Sequence, residues 1–268
     1  MMSLFLILVL IPGDGHKQLD HLSQQEFERF TDGMAACFVI RDMRRGTTTR
    51  YNQDLCALKY SPCSTFKIFN SLAALDAEVL ADANTVLEWD GRPKWNKSWE
   101  RDHTLATATQ YSVVWYYKEV ARRLGKQRMQ AYLNKVGYGN RNISGGIDQF
   151  WLGSSLTISA DEQLDFLERL YRNDLPFSQH AMDTTRTILV HQERGGARLS
   201  GKTGSYWKDG TYNLGWFVGH LTTVEGGEYV FAYNMAGKGA SGIRARARCK
   251  DLLHALGLAD FVNDKAGK

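Results

Sequence analysis

The sequence predicts an α+β fold in which an antiparallel sheet, built from both ends of the chain, is interrupted by a helical insert. Three observations carry that expectation. Strand-like segments cluster near each end, the connections between neighbouring strands are short, and the middle of the chain switches to a helical apolar period. Two packed regions of this kind leave a cleft between them, which is where a site is sought first.

Residues 24–30 read as a helix. Residues 37–42 and 47–51 read as two strands of a hairpin, closed by the Arg44-Arg45-Gly46 turn. Helical patterns then follow at 65–77, 113–124, 128–136 and 160–171; in the last of these Leu164, Leu167, Leu170 and Tyr171 lie along one face. Strands resume at 199–203, 214–221 and 229–235, punctuated by Asp209-Gly210 and Gly226-Gly227. A final helix over 245–256 stops at Gly257. The expected division is an α/β domain from 16–63 with 187–268 and an α-helical domain from 64–186.

The 268 residues are 43% hydrophobic and 23% charged, with a formal net charge of +4. That suits a compact chain with a sizeable core and is too mild a bias to demand nucleic acid as a partner. The apolar run at residues 3–11 is far shorter than the roughly 20 residues a spanning helix needs, so no membrane anchor is expected. Followed by Gly13-Asp14-Gly15, it reads as a secretory signal over residues 1–15, although no Lys or Arg precedes it. Export to the periplasm or medium would permit disulfides among Cys37, Cys56, Cys63 and Cys249; Cys37 and Cys56 flank the first hairpin turn and are one pairing, free buried thiols the alternative. The histidines are scattered without metal-ligand spacing, so no metal is expected.

Chemistry concentrates in four short segments. Ser64-Thr65-Phe66-Lys67 follows Pro62 and opens a helix-forming run, which puts a hydroxyl and an amine one turn apart on the same face. A serine becomes nucleophilic when a base takes its proton, and a lysine is that base when burial or a neighbouring cation lowers its pKa. Taken alone, the tetrapeptide is more often a helix cap with a surface lysine. Tyr111-Ser112-Val113-Val114 precedes a helix and brings a second hydroxyl; alone it is an N-cap. Lys202-Thr203-Gly204-Ser205 ends a strand, its glycine admitting a close backbone approach and its Lys202, Thr203 and Ser205 side chains suiting a carboxylate; alone it is a turn. Tyr138-Gly139-Asn140 reads as a tight turn of structural support.

In their order along the chain, Ser-x-x-Lys, Ser-x-Val, Tyr-Gly-Asn and Lys-Thr-Gly, the four segments resemble the penicillin-recognising serine enzymes, and specifically the class D (oxacillinase-type) β-lactamases. The likeness extends to Trp89-Asp90-Gly91, Trp99-x-x-Asp102-x-Thr104-Leu105, Phe150-Trp151-Leu152, Leu156-x-Ile158-Ser159 and Gly215-Trp216-Phe217-Val218-Gly219, nearly everything after residue 30. The class A pattern fits worse, because no Asn stands two places after Ser112 and no Glu-x-x-x-Asn supplies a deacylating glutamate.

The resemblance implies a β-lactamase/transpeptidase-like fold and β-lactam hydrolysis through an acyl-enzyme on Ser64. It also implies that Lys67 takes up CO2 to become an N-carboxylated base and that Trp151 donates its indole N–H to that group; Ser112 is read as a proton relay between Lys202 and the leaving nitrogen. Val114, Thr203, Gly204, Ser205 and Arg244 are then expected on the substrate, with Arg244 taking its carboxylate and the backbone N–H groups of Ser64 and Ser205 forming the oxyanion hole. No cofactor beyond the carboxylated lysine is expected, and the chain is read as a monomer or homodimer. Two relatives of the same fold are the rival readings, a β-lactam sensor that stays acylated and a D-Ala-D-Ala peptidase. Cys63 is read as a buried small residue, since one helical step turns it about 100° from its neighbour.

Overall fold

The computed structural model describes residues 21–258. The secretory signal read in residues 1–15 lies outside them. The chain begins with a short helix α1 (Gln24–Glu28), followed by β1 (Ala35–Asp42), β2 (Thr48–Tyr51) and α2 (Gln53–Ala57). A 3-10 turn at Cys63–Phe66 then runs directly into α3 (Lys67–Asp76). A two-stranded ribbon of β3 (Val86–Leu87) and β4 (His103–Thr104) precedes α4 (Leu105–Gln110), α5 (Val114–Leu124), α6 (Lys126–Val136), α7 (Ala160–Tyr171) and α8 (Gln179–Ile188). The chain returns through β5 (Val190–Arg194), β6 (Ala197–Lys208), β7 (Thr211–Thr222) and β8 (Glu228–Ala236), and α9 (Gly242–Ala255) closes it.

The large sheet has the order β2-β1-β8-β7-β6-β5, every pair antiparallel. This is the predicted α+β class. Strand β8 lies between β1 and β7 and is covered on both faces. Val230 and Ala232 join the core under the helices, while Phe231, Tyr233 and Met235 join a second core with α1 and α9. That alternation is the period of two expected of a strand.

The hairpins follow their turn chemistry. Strands β6 and β7 register Lys208 against Thr211, leaving Asp209 and Gly210 as a two-residue loop with φ of +51° and +77°. Positive φ at both positions is the turn whose twist matches the flanking strands, which carries β6 five residues beyond the expected end at 203. In the first hairpin Asp42 Oδ1 accepts from the N–H groups of Arg44 and Arg45, and Gly46 takes the left-handed conformation. Helix α7 matches its expected span and carries a Ser159–Glu162 capping box.

Strand β5 pairs with β6 only between Ala197 and Ser200, so among the described residues no strand covers β6 from Lys202 to Lys208 on that side. Cys37, Cys56, Cys63 and Cys249 are all free and buried. Cys56 Sγ donates to Tyr51 O at 3.6 Å, and no bridge joins it to Cys37. Among the described residues no helix is long and apolar enough to cross a membrane.

Candidate active site

The nucleophile turn is set by its backbone. Pro62 is helical at φ −65°, Cys63 is left-handed at φ +51°, and the chain then winds as a 3-10 helix. In that tighter winding, side chains three apart eclipse one another, so Ser64 and Lys67 face the same way. Lys67 Nζ lies 2.6 Å from Ser64 Oγ. A left-handed non-glycine residue costs about 1–3 kcal/mol and persists only where its surroundings fix it. Here the Cys63 side chain is buried, Thr65 Oγ1 donates to Pro62 O at 2.8 Å, and the buried Gln163 amide donates to Thr65 Oγ1 at 2.8 Å. The Cys63 thiol is pushed up to about 11 by burial, which leaves it protonated and unreactive beside the serine.

Ser112 is the second left-handed residue at the site, at φ +54° just before α5. Its Oγ is 3.3 Å from Lys67 Nζ and 3.0 Å from Lys202 Nζ, so the three segments converge on one hydroxyl. Both amines are buried. Burial, reinforced by Lys202, holds the Lys67 amine well below its usual range. The Lys202 amine is pushed down to about 7 by burial and by the Arg246 guanidinium. A neutral amine carries a lone pair that an ammonium lacks, and with it the capacity to take a proton or an electrophile.

The walls around Lys67 are apolar. Its Nζ lies 5.5 Å from the centre of the Tyr117 ring, whose hydroxyl is occupied by Ser71 and Thr109. Trp151 is fully buried and stacks on Phe66 with ring centres 5.5 Å apart, yet its indole N–H has no hydrogen-bond partner. The loop carrying Trp151 is braced by the Tyr138-Gly139-Asn140 turn. Asn140 Nδ2 donates to Ser155 O, Asn140 Oδ1 accepts from Thr157 N, and a Cβ on Gly139 would stand 2.2 Å from Thr157 O.

Strand β6 crosses the nucleophile turn at Gly204. A Cβ there would lie 2.8 Å from Pro62 O and 3.3 Å from the Trp216 Cβ, so the absent side chain is what lets the strand approach. The start of α9 presses on the same strand: Gly242 N donates to Ser205 Oγ at 2.8 Å, leaving the Ser205 hydroxyl hydrogen for another acceptor. A cavity of about 700 Å³ opens here, lined by Ser64, Ser112, Val114, Leu152, Thr203 and Ser205, with Trp95, Tyr111, Trp207 and Ile243 at its apolar margin.

Nine of the ten expected residues thus gather around one cleft, either on its lining or in the buried cluster beside it. Arg244 stands apart. Its Nε donates to Asp32 Oδ2 at 2.7 Å, and the cavity lining at this point is Ile243. Sequence reasoning missed Trp95, Tyr111, Trp207 and Ile243, which lie far apart in the chain and gave only the signal of large apolar residues outside the core pattern. Four of the seven large hydrophobic side chains exposed among the described residues surround this one cavity.

A serine hydroxyl 2.6 Å from a buried amine, beside a second hydroxyl shared by that amine and another, is an arrangement chemically suited to serine acyl transfer. The chain matches the penicillin-binding-protein transpeptidase domain over residues 23–254. It is 40% identical over 243 residues to the probable β-lactamase YbxI of Bacillus subtilis, a match spanning 91% of this chain and 88% of that protein. To β-lactamase OXA-1 of Escherichia coli it is 34% identical over 240 residues, spanning 85% and 87%. A crystal structure of a class D β-lactamase from Bacillus subtilis superposes with a TM-score of 0.83 at 39% identity, covering 89% of this chain and 99% of that one. The chain belongs to the penicillin-binding-protein transpeptidase family and, within it, to the class D β-lactamases.

Proposed function

We propose that this β-lactamase works through an acyl-enzyme on Ser64, with Lys67 carboxylated at Nζ. The observation that carries the reading is a fully buried amine 2.6 Å from a serine hydroxyl, in a cluster that also holds a buried indole N–H with no partner. Carboxylation needs the neutral amine, whose nitrogen attacks the carbon of CO2 and gives up a proton, and the environment of Lys67 favours that form. The residues fit the group. Trp151 Nε1 is the donor without an acceptor, and the apolar walls of Phe66 and Tyr117 exclude competing water. When present, the group supplies the base for acylation of Ser64 and for the water that releases the product.

The chain's own residues do the rest. Ser64 forms the bond to the lactam carbonyl carbon, and the amide N–H groups of Ser64 and Ser205 receive the developing oxyanion. Ser112, hydrogen-bonded to Lys202, passes a proton to the departing lactam nitrogen. The substrate carboxylate docks on Thr203 and Ser205, whose free hydroxyl hydrogen points the same way chemically, and on Arg244 once its guanidinium is released from Asp32. Val114 and Gly204 shape the pocket. We read the enzyme as exported.

The test is a time course of Ser64 adduct mass with one penicillin, with and without bicarbonate. Prompt return to the native mass, faster with bicarbonate, is expected. An adduct lasting hours under both conditions would assign the chain to the sensors, and rates indifferent to bicarbonate would overturn the lysine carboxylation.

A further inference from the structure

Ser61 belongs to none of the motifs, yet it joins three segments of the site. Its hydroxyl donates to Trp151 O at 2.9 Å and accepts from Gly153 N at 2.9 Å. Its carbonyl accepts from Trp216 Nε1 of β7 at 3.0 Å. Three residues later comes Ser64. One side chain therefore sets the distance between the nucleophile turn and the loop that carries Trp151.

The loop is also held close to β6 at this point. Gly153 is left-handed at φ +73°, and a Cβ there would stand 2.0 Å from the Tyr206 ring, so the loop is pressed against β6. The Trp151 ring is stacked on Phe66 and meets Phe150 edge-on at 4.9 Å. Ring packing orients an indole. Where the ring sits also follows the backbone it hangs from, which a hydrogen bond to the residue's own carbonyl restrains. Trp151 is buried with its N–H unpartnered, so a displacement of a few tenths of an ångström decides what that N–H can reach.

We propose that Ser61 is a positioning residue for Trp151, holding its indole N–H in register with the turn that presents Ser64 and Lys67. This rests on, and deepens, the reading in which Trp151 serves a carboxylated Lys67. Removing the hydroxyl leaves Trp151 O and Gly153 N each one partner short and lets the loop drift, while Ser64 and Lys67 keep their own helical geometry.

The test is a double-mutant cycle on the deacylation rate with Ser61→Ala, Trp151→Phe and the pair, supplemented by Ser61→Thr. Ser61→Ala is expected to slow deacylation about fivefold or more, to raise the bicarbonate concentration that half-restores activity by a similar factor, and to leave acylation of Ser64 within about twofold. In the Trp151→Phe background the same change costs nothing further, and Ser61→Thr restores the wild-type bicarbonate requirement. Independent, multiplying effects of the two substitutions overturn the proposal, as does a Ser61→Thr variant as impaired as Ser61→Ala. Should Ser61→Ala fail to fold, Ser61→Cys, which keeps the volume and weakens the bonds, carries the same cycle. A wild type indifferent to bicarbonate overturns the lysine carboxylation alone, because the cycle on deacylation still decides whether Ser61 acts through Trp151.

Discussion

Lys67 of α3 and Lys202 of β6 meet at a single oxygen, the Ser112 hydroxyl, at 3.3 and 3.0 Å. Both side chains are buried, and no carboxylate among the described residues offsets their charge, so Lys202 lowers the Lys67 amine further. Burial and Lys202 lower Lys67, and burial and Arg246 bring Lys202 down to about 7, so the site disfavours charge on both amines.

The first consequence is for the base. Lys67→Ala removes the group nearest Ser64 Oγ and leaves Thr203, Ser205 and the cavity intact. Turnover is expected to fall about a thousandfold with substrate binding retained. Steady-state kinetics with a chromogenic cephalosporin, alongside a binding titration, checks both halves; a loss confined to KM would contradict the role.

The second concerns stability and pH. Burial and Arg246 push the Lys202 amine down to about 7 in the folded protein, against its ordinary 10.5 when unfolded. Between those values the unfolded chain binds more protons, so stability rises with pH, by up to about 1.4 kcal/mol per unit, and the gain is absent below about 7. Unfolding midpoints at pH 7 and 9 are expected to increase in the wild type and to change less in Lys202→Met. Equal slopes would mean that Lys202 titrates normally.

The third tests the close approach of β6. Gly204→Ala introduces a Cβ 2.8 Å from a backbone carbonyl, an atom that cannot rotate away. Overpacking of this kind costs about 1–3 kcal/mol of stability. Displacement of the strand from Ser64 is expected to lower kcat by about tenfold or more. Thermal unfolding and kinetics on the same preparation separate the two effects.

The fourth concerns the carboxylate. With Arg244 bonded to Asp32, a substrate anion competes with a resident one. Asp32→Asn is expected to lower KM a few-fold and Arg244→Ala to raise it by about tenfold, kcat changing less in each. Unchanged KM in both variants would assign the carboxylate to Thr203 and Ser205 alone.

What was legible in the sequence is what short spacing or hydrophobic period encodes. Ser64 and Lys67 were readable because three residues make one turn, and α7 because its apolar face repeats cleanly. Helix α8 carries three threonines and a mixed surface, and β5 pairs over few residues without alternation, so neither announced itself. The Asp32–Arg244 pair spans 212 positions and Ser61 reaches 90 residues along the chain to Trp151. Such partnerships come from packing, and no local pattern records them. The Cys37–Cys56 proximity was anticipated from the hairpin, but both residues remain thiols in the folded core.

The uncovered half of β6 from Lys202 to Lys208 has a cost outside the reaction. A strand edge left without a neighbouring strand beside a cleft is also a template on which another copy can zip itself. The bulky exposed Trp207 and the charged Lys208 stand at the far end of that row, where they obstruct recruitment of a whole strand while a small guest still fits. The same open edge thus leaves room both for a small guest and for the strand of a second copy.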